Sequence, residues 1–278
     1  MKSIFAALAL ASLIAIPAFA FEDAAAPGTP RGTDEMFDEL FSFTIEDNLH
    51  CVGIGFDGEY LWVSAGDATT GFCEFYIFDE YGTLVEGPIH QPGGATGWGN
   101  RDLAFDGTYM FGSYGMPING FMDWNTYSGS FNGPINPNRA LAYDGSYFYT
   151  SGFGEMLYKV EWDGTWGSTG DATILSGPFD GAYGLAYDEG NQCLWMSTAN
   201  YTGDVIQLDM NGNTIDTYST VFGGYDLHGG CTMADTRFGH VLVILMQSDV
   251  DTVVFYDVES MPSPAEDTTW GGVKSLFR

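Results

Sequence analysis

The chain has 278 residues, with 37 acidic against 8 basic side chains and a formal net charge of −29. A field of that sign repels nucleic acid and anionic lipid, so neither is expected as a partner, and it suits solubility outside the cell. Abundant Gly, Tyr, Trp and Phe indicate a sheet protein with many tight turns rather than a disordered acidic chain.

The N-terminus reads as a secretory signal. Lys2 precedes an apolar run from Ile4 to Ile16, and Ala18-Phe19-Ala20 places small residues where a signal peptidase cuts. The run is too short to span a bilayer comfortably, and no second stretch approaches about 18 apolar residues, so no membrane span is expected. Residues 1–20 are therefore expected to be removed and the rest to lie outside the cytoplasm, in the periplasm, at the cell surface or secreted. Residues 21–38, rich in Ala, Pro, Gly, Asp and Glu, read as a flexible leader.

From residue 39 the sequence repeats itself. The phrases Gly55-Phe56-Asp57-Gly58-Glu59-Tyr60-Leu61-Trp62-Val63-Ser64, Ala104-Phe105-Asp106-Gly107-Thr108-Tyr109-Met110-Phe111-Gly112-Ser113 and Ala142-Tyr143-Asp144-Gly145-Ser146-Tyr147-Phe148-Tyr149-Thr150-Ser151 are near copies. A fourth, with an insertion, runs from Ala186 through Asp188 to Ser197, and a degraded fifth from Cys231 through Asp235 to Leu245. The spacings of the aligned aspartates, 49, 38, 44 and 47, are those of four-stranded propeller blades. Asp-Gly between apolar runs predicts a type I′ hairpin, and a second hairpin follows each phrase, weakest at Phe121-Met122-Asp123-Trp124-Asn125.

The fifth unit supplies three strands. The missing one is expected at Phe41-Ser42-Phe43-Thr44-Ile45, whose period-two alternation would complete the last blade and remove an exposed edge. The expected fold is thus an all-β, five-bladed β-propeller over residues 39–259, with six blades the main competitor because 87–99 and 219–228 are irregular. These phrases resemble the repeat propellers of secreted bacterial proteins, of the NHL type and the glutamine-cyclotransferase-like five-bladed group. The resemblance implies the fold; lyases, cyclotransferases and pure binding modules all use it.

Residues 260–278 read as a linker and a tag, ending Thr269-Trp270-Gly271-Gly272-Val273-Lys274-Ser275-Leu276-Phe277-Arg278. The ending resembles short C-terminal tags of exported bacterial proteins and implies sorting or retention. Cys51, Cys73, Cys193 and Cys231 allow three disulfide pairings, or burial as apolar residues.

Function is expected where residues lead into the innermost strands. Aligning the repeats places Cys51, Asn100, Asn138, Ala182 and His228 at one ring position, and Val52, Arg101, Arg139, Tyr183 and Gly229 at the next. Asn-Arg occurs twice in a chain with few arginines, and two guanidinium groups at a mouth suit a carboxylate, phosphate or sulfated sugar. His50, His228 and Asp226 are expected nearby. The ligand-binding candidates are therefore Asn100, Arg101, Asn138, Arg139, Tyr183, Asp226 and His228, serving a small molecule, glycan or surface protein as partner of a monomer.

The competing expectations are that Arg101 and Arg139 pair with local acids such as Asp102 or Asp226, or that the mouth is an enzyme site. In the latter, His228 or Asp226 would act as acid or base, with Asp102 and Glu155 as further carboxylates. No cofactor is assigned: Asp209-Met210-Asn211-Gly212-Asn213-Thr214-Ile215-Asp216 suits calcium only loosely and sits where a hairpin is expected. No G-x-S-x-G, H-E-x-x-H or Gly-rich phosphate loop occurs.

Overall fold

The computed structural model describes residues 36–45, 50–67, 69–200, 203–220 and 227–259. The signal sequence, most of the leader, Asp226 and the C-terminal tag lie outside them. The described chain forms twenty strands in five four-stranded antiparallel sheets and no helix. Strand β1 (Glu39–Thr44) comes first; β2 (Cys51–Phe56), β3 (Leu61–Gly66), β4 (Cys73–Phe78) and β5 (Leu84–His90) make the first blade. The second is β6 (Leu103–Phe105), β7 (Met110–Ser113), β8 (Pro117–Asp123) and β9 (Thr126–Asn132). The third is β10 (Ala140–Tyr143), β11 (Phe148–Ser151), β12 (Leu157–Glu161) and β13 (Asp171–Ser176). The fourth is β14 (Ala182–Asp188), β15 (Cys193–Thr198), β16 (Asp204–Asp209) and β17 (Thr214–Ser219). The last joins β18 (Leu227–Thr236), β19 (Gly239–Gln247) and β20 (Thr252–Asp257) to β1.

Five blades, not six, therefore close the ring, and the N-terminal strand seals it, with Phe43 opposite Val253 and Phe41 opposite Phe255. The first strands of the blades, β2, β6, β10, β14 and β18, pack against one another in cyclic order around a central channel. The apolar core is divided accordingly into five clusters, each between two neighbouring blades. Trp195 and Phe255, fully buried between blades, each contribute about 2–3 kcal/mol of burial energy.

The repeated phrase has a different local chemistry from the expected type I′ turn. Positive φ falls on Gly58 (96°) and its equivalents, not on the aspartate. Asp57 instead caps its turn: Oδ1 accepts the amides of Glu59 and Tyr60 at 2.9 and 2.7 Å, and Oδ2 accepts Trp62 Nε1 at 2.7 Å. Asp144 does the same, with Tyr149 donating its hydroxyl, and Trp195 donates to Asp188. The second blade has Phe111 at this position, which carries no polar hydrogen, so Asp106 keeps only its turn amides, Thr108 and Tyr109. The serine closing the phrase clips one blade to the next: Ser113 Oγ donates to Arg139 O at 2.6 Å and Ser197 Oγ to Gly229 O at 2.7 Å.

One expectation changes, and one open alternative is decided. Met36 and Phe37, at the end of the stretch read as a flexible leader, are packed: Phe37 stacks on Tyr256 and Tyr218, and its amide donates to Asp257 O. All four cysteines are buried, and Cys73, Cys193 and Cys231 are free thiols, which leaves no disulfide pairing. Burial pushes the Cys193 thiol up to about 11.

Candidate functional site

The channel has two mouths. At one, the chain enters the inner strands; at the other lie the Asp-Gly hairpins. The channel is interrupted between them by Asp102, whose side chain is fully buried. Its Oδ2 accepts the amides of Leu141 and Leu185 at 2.7 and 2.8 Å, joining the second, third and fourth blades, and the amides of Leu103 and Cys231 also act on the carboxylate. Gly230 permits this approach, since a Cβ there would lie 2.3 Å from Asp102 Oδ1. Burial raises the Asp102 carboxyl well above the usual range, against the pull of those amides. Asp102 is therefore neither an arginine partner nor a carboxylate of the mouth.

At the mouth where the inner strands begin, Arg101, Arg139 and Tyr183 line one cavity of about 470 Å³. Their neighbouring ring positions follow from the repeat: each arginine lies one or two residues before an inner strand, and each anchors its amide on the closing serine of its own phrase, Ser113 or Ser151, at 2.9 Å. The Arg139 guanidinium lies 3.9 Å over the Phe153 ring and 6.0 Å from that of Tyr183. Burial first, then the charge of Arg101, lowers Arg139 to about 10, still ionised at neutral pH. Among the described residues no carboxylate acts on Arg139, and the ion pairs are both made by His240, far from this mouth in the hairpin cavity.

Two positive charges thus face one cavity in which Asp251 is the one acid among the described lining residues. Asp251 lines the cavity but is buried, with Oδ2 accepting the Cys51 amide at 2.8 Å, and burial raises its carboxyl. Burial also raises the Tyr183 phenol, while Arg101 and Arg139 pull it down. Trp98 and His50, whose rings meet edge to face at 5.7 Å, complete one wall.

The other candidates are elsewhere. Asn100 and Asn138 are fully buried and turn into the blades rather than the mouth. Asn100 donates to Gln91 Oε1 at 2.8 Å and accepts from Asn119; Asn138 donates to Met116 O at 2.7 Å and accepts from Thr150. They hold the loops that carry the neighbouring arginines. His228 is also fully buried, with Nε2 against Thr220 Oγ1, and burial lowers it to about 4, so it is neutral and does not reach the cavity. Glu155 is exposed outside it. Asp209 spends its carboxylate on its own turn, accepting from Asn211 and Asn213.

Sequence reasoning missed Phe153, Trp98, Gln247 and Asp251. Phe153 sits two residues past the third phrase, and Trp98 lies in the irregular 87–99 stretch, so neither has a repeat position to mark it. A large exposed aromatic in a loop, Phe153 at 43% exposure, was the available signal for the former.

No protein-family model matches the chain, and no curated protein matches it. Among solved structures it is similar to the glutaminyl cyclase of Myxococcus xanthus, at 15% identity over 81% of this chain and 97% of that one, with a TM-score of 0.58. It is also similar to XC5397 of Xanthomonas campestris, described as a gluconolactonase, at 13% identity over 80% and 94%, with a TM-score of 0.47. Enzymes thus occur among its structural neighbours, and at these identities the likeness is one of fold.

Proposed function

We propose that this protein is an exported propeller that binds an anionic ligand at the mouth lined by Arg101 and Arg139. The observation that carries the reading is the pair of guanidinium groups brought to one cavity with no carboxylate of the described residues acting on Arg139. Burying charge in this way is costly unless a counter-charge arrives, and a carboxylate, phosphate or sulfated sugar supplies one while filling the planar donor forks. Phe153 and Tyr183 give the ligand an apolar wall, and the size of the cavity suits a small molecule or the end of a glycan or peptide chain. His228, neutral and sequestered, does not line this mouth, so the acid–base role weighed for it finds no support there.

The test is calorimetric titration with citrate, inorganic phosphate and a sulfated disaccharide, on the native protein and on Arg101→Glu with Arg139→Glu. At least one anion should bind one-to-one, and the double variant should lose that binding with little change in melting temperature. A large loss of stability in the double variant, with no anion bound by the native protein, would make the arginines struts between blades instead.

A further inference from the structure

The opposite mouth, among the Asp-Gly hairpins, opens into a larger cavity of about 540 Å³. Its walls are the residues two positions past the aligned Ile54, Leu103, Leu141, Leu185 and Cys231 of the inner strands, namely Phe56, Phe105, Tyr143, Tyr187 and Met233. Each is only partly buried, with its inner face against a cluster between blades. The fivefold repeat thus gathers four aromatic rings and a thioether around one space, and none is required by the arginine mouth.

The floor follows from the ladder. Leu141 and Leu185 send their amides to Asp102 and so occupy positions whose N–H and C=O both point into the channel. Their carbonyls face the channel one step nearer the hairpins, and both residues, with Leu103, line the cavity. The rim is acidic: Asp106, Asp144, Glu189 and Asp235 all border the space. Asp106 is the repeat aspartate that has Phe111 in place of an aromatic donor, so its carboxylate lacks the side-chain donor that Asp144 has in Tyr149. The one cation present, His240, is matched by Asp235 at 2.7 Å and Asp188 at 3.2 Å.

We propose that this second cavity is a binding site for a small primary alkylammonium cation. Carbonyl oxygens accept its N–H groups, aromatic faces attract its charge and cover its alkyl chain, and the carboxylates raise its local concentration. An anion would meet the carboxylates of the rim and the carbonyls of the floor, and His240 is already matched by two aspartates. The site is separate from the arginine mouth in position and in sign of charge, with Asp102 between them.

The experiment is titration of the full-length protein with n-butylammonium chloride, n-butanol and sodium butyrate, read by calorimetry and by shifts of assigned ring protons. Butylammonium should give a saturable one-site isotherm, butanol should bind at least tenfold more weakly, and butyrate not at all. Tyr187→Ala should weaken butylammonium about tenfold. Asp106→Asn with Glu189→Gln, which keeps the turn acceptor and leaves the fold undisturbed, should weaken it about threefold or more. Arg101→Glu with Arg139→Glu should leave it unchanged. Equal binding of butanol, an unchanged affinity in the carboxylate variant, or no saturable binding by the folded native protein would overturn the proposal.

Discussion

The two mouths of one channel are built from the same five strands and differ in almost everything else. The hairpin mouth is made by the repeat: equivalent residues of every blade supply the walls, aromatic in four blades and a thioether in the fifth, and acidic residues of the hairpins supply the charge. The arginine mouth is made where the repeat fails, from two arginines on adjacent blades, a tyrosine on the next, and aromatic residues from loops of unequal length. A ring of similar blades produces a nearly symmetric cup by default, whereas a directional site needs residues that break the symmetry. The buried carboxyl of Asp102 separates the two regions and is itself a departure from the repeat, since one blade supplies the acid that the amides of the others share.

The largest effect is expected at that waist. Asp102→Leu keeps the size of the side chain but leaves buried amides of several blades without an acceptor, and should cost at least about 3 kcal/mol of stability in urea denaturation. A loss below 1 kcal/mol would mean that the two mouths share water through the channel.

The half-buried His240 and the buried His228 should divide the pH dependence with opposite signs. His240, held at about 9 by Asp188 first and then Asp235, stabilises the fold as a cation; that contribution is complete below pH 6.5 and is lost as pH rises through about 9. His228, lowered to about 4 by burial, stabilises it as a neutral ring; its contribution is complete above pH 6.5 and is lost as pH falls toward 4. His240→Gln should therefore cost about 2 kcal/mol at pH 6 and almost nothing at pH 10, measured by denaturation across that range. A constant difference at both pH values would remove the ion pairs from the hairpin mouth.

Smaller effects sharpen the contrast between blades and between mouths. Tyr149→Phe deletes the hydroxyl that Asp144 accepts and makes the third blade like the second; it should cost about 1 kcal/mol, seen as a lower denaturation midpoint at constant slope. Phe153→Ala removes the ring beneath Arg139 and should weaken anion binding about threefold to fivefold, while butylammonium binding stays the same.

The sequence alone determined the propeller, the closing strand and the ring positions of Arg101, Arg139 and Tyr183, because an Asp-Gly turn and a period-two strand are local features that recur at blade spacing; it left six blades as a competitor to five, which the closed ring decided. It also placed Asn100, Asn138 and His228 at one ring position, yet they face inward while the residues beside the asparagines face the mouth. Successive side chains along a strand leave on opposite sides, so two adjacent candidates rarely share a cavity. Only the closed ring decided that Asp102 serves other blades' amides rather than a neighbouring arginine. Partners more than eighty residues apart, such as Asp102 and Leu185, meet only once the ends of the chain are paired, and no window of sequence records that meeting.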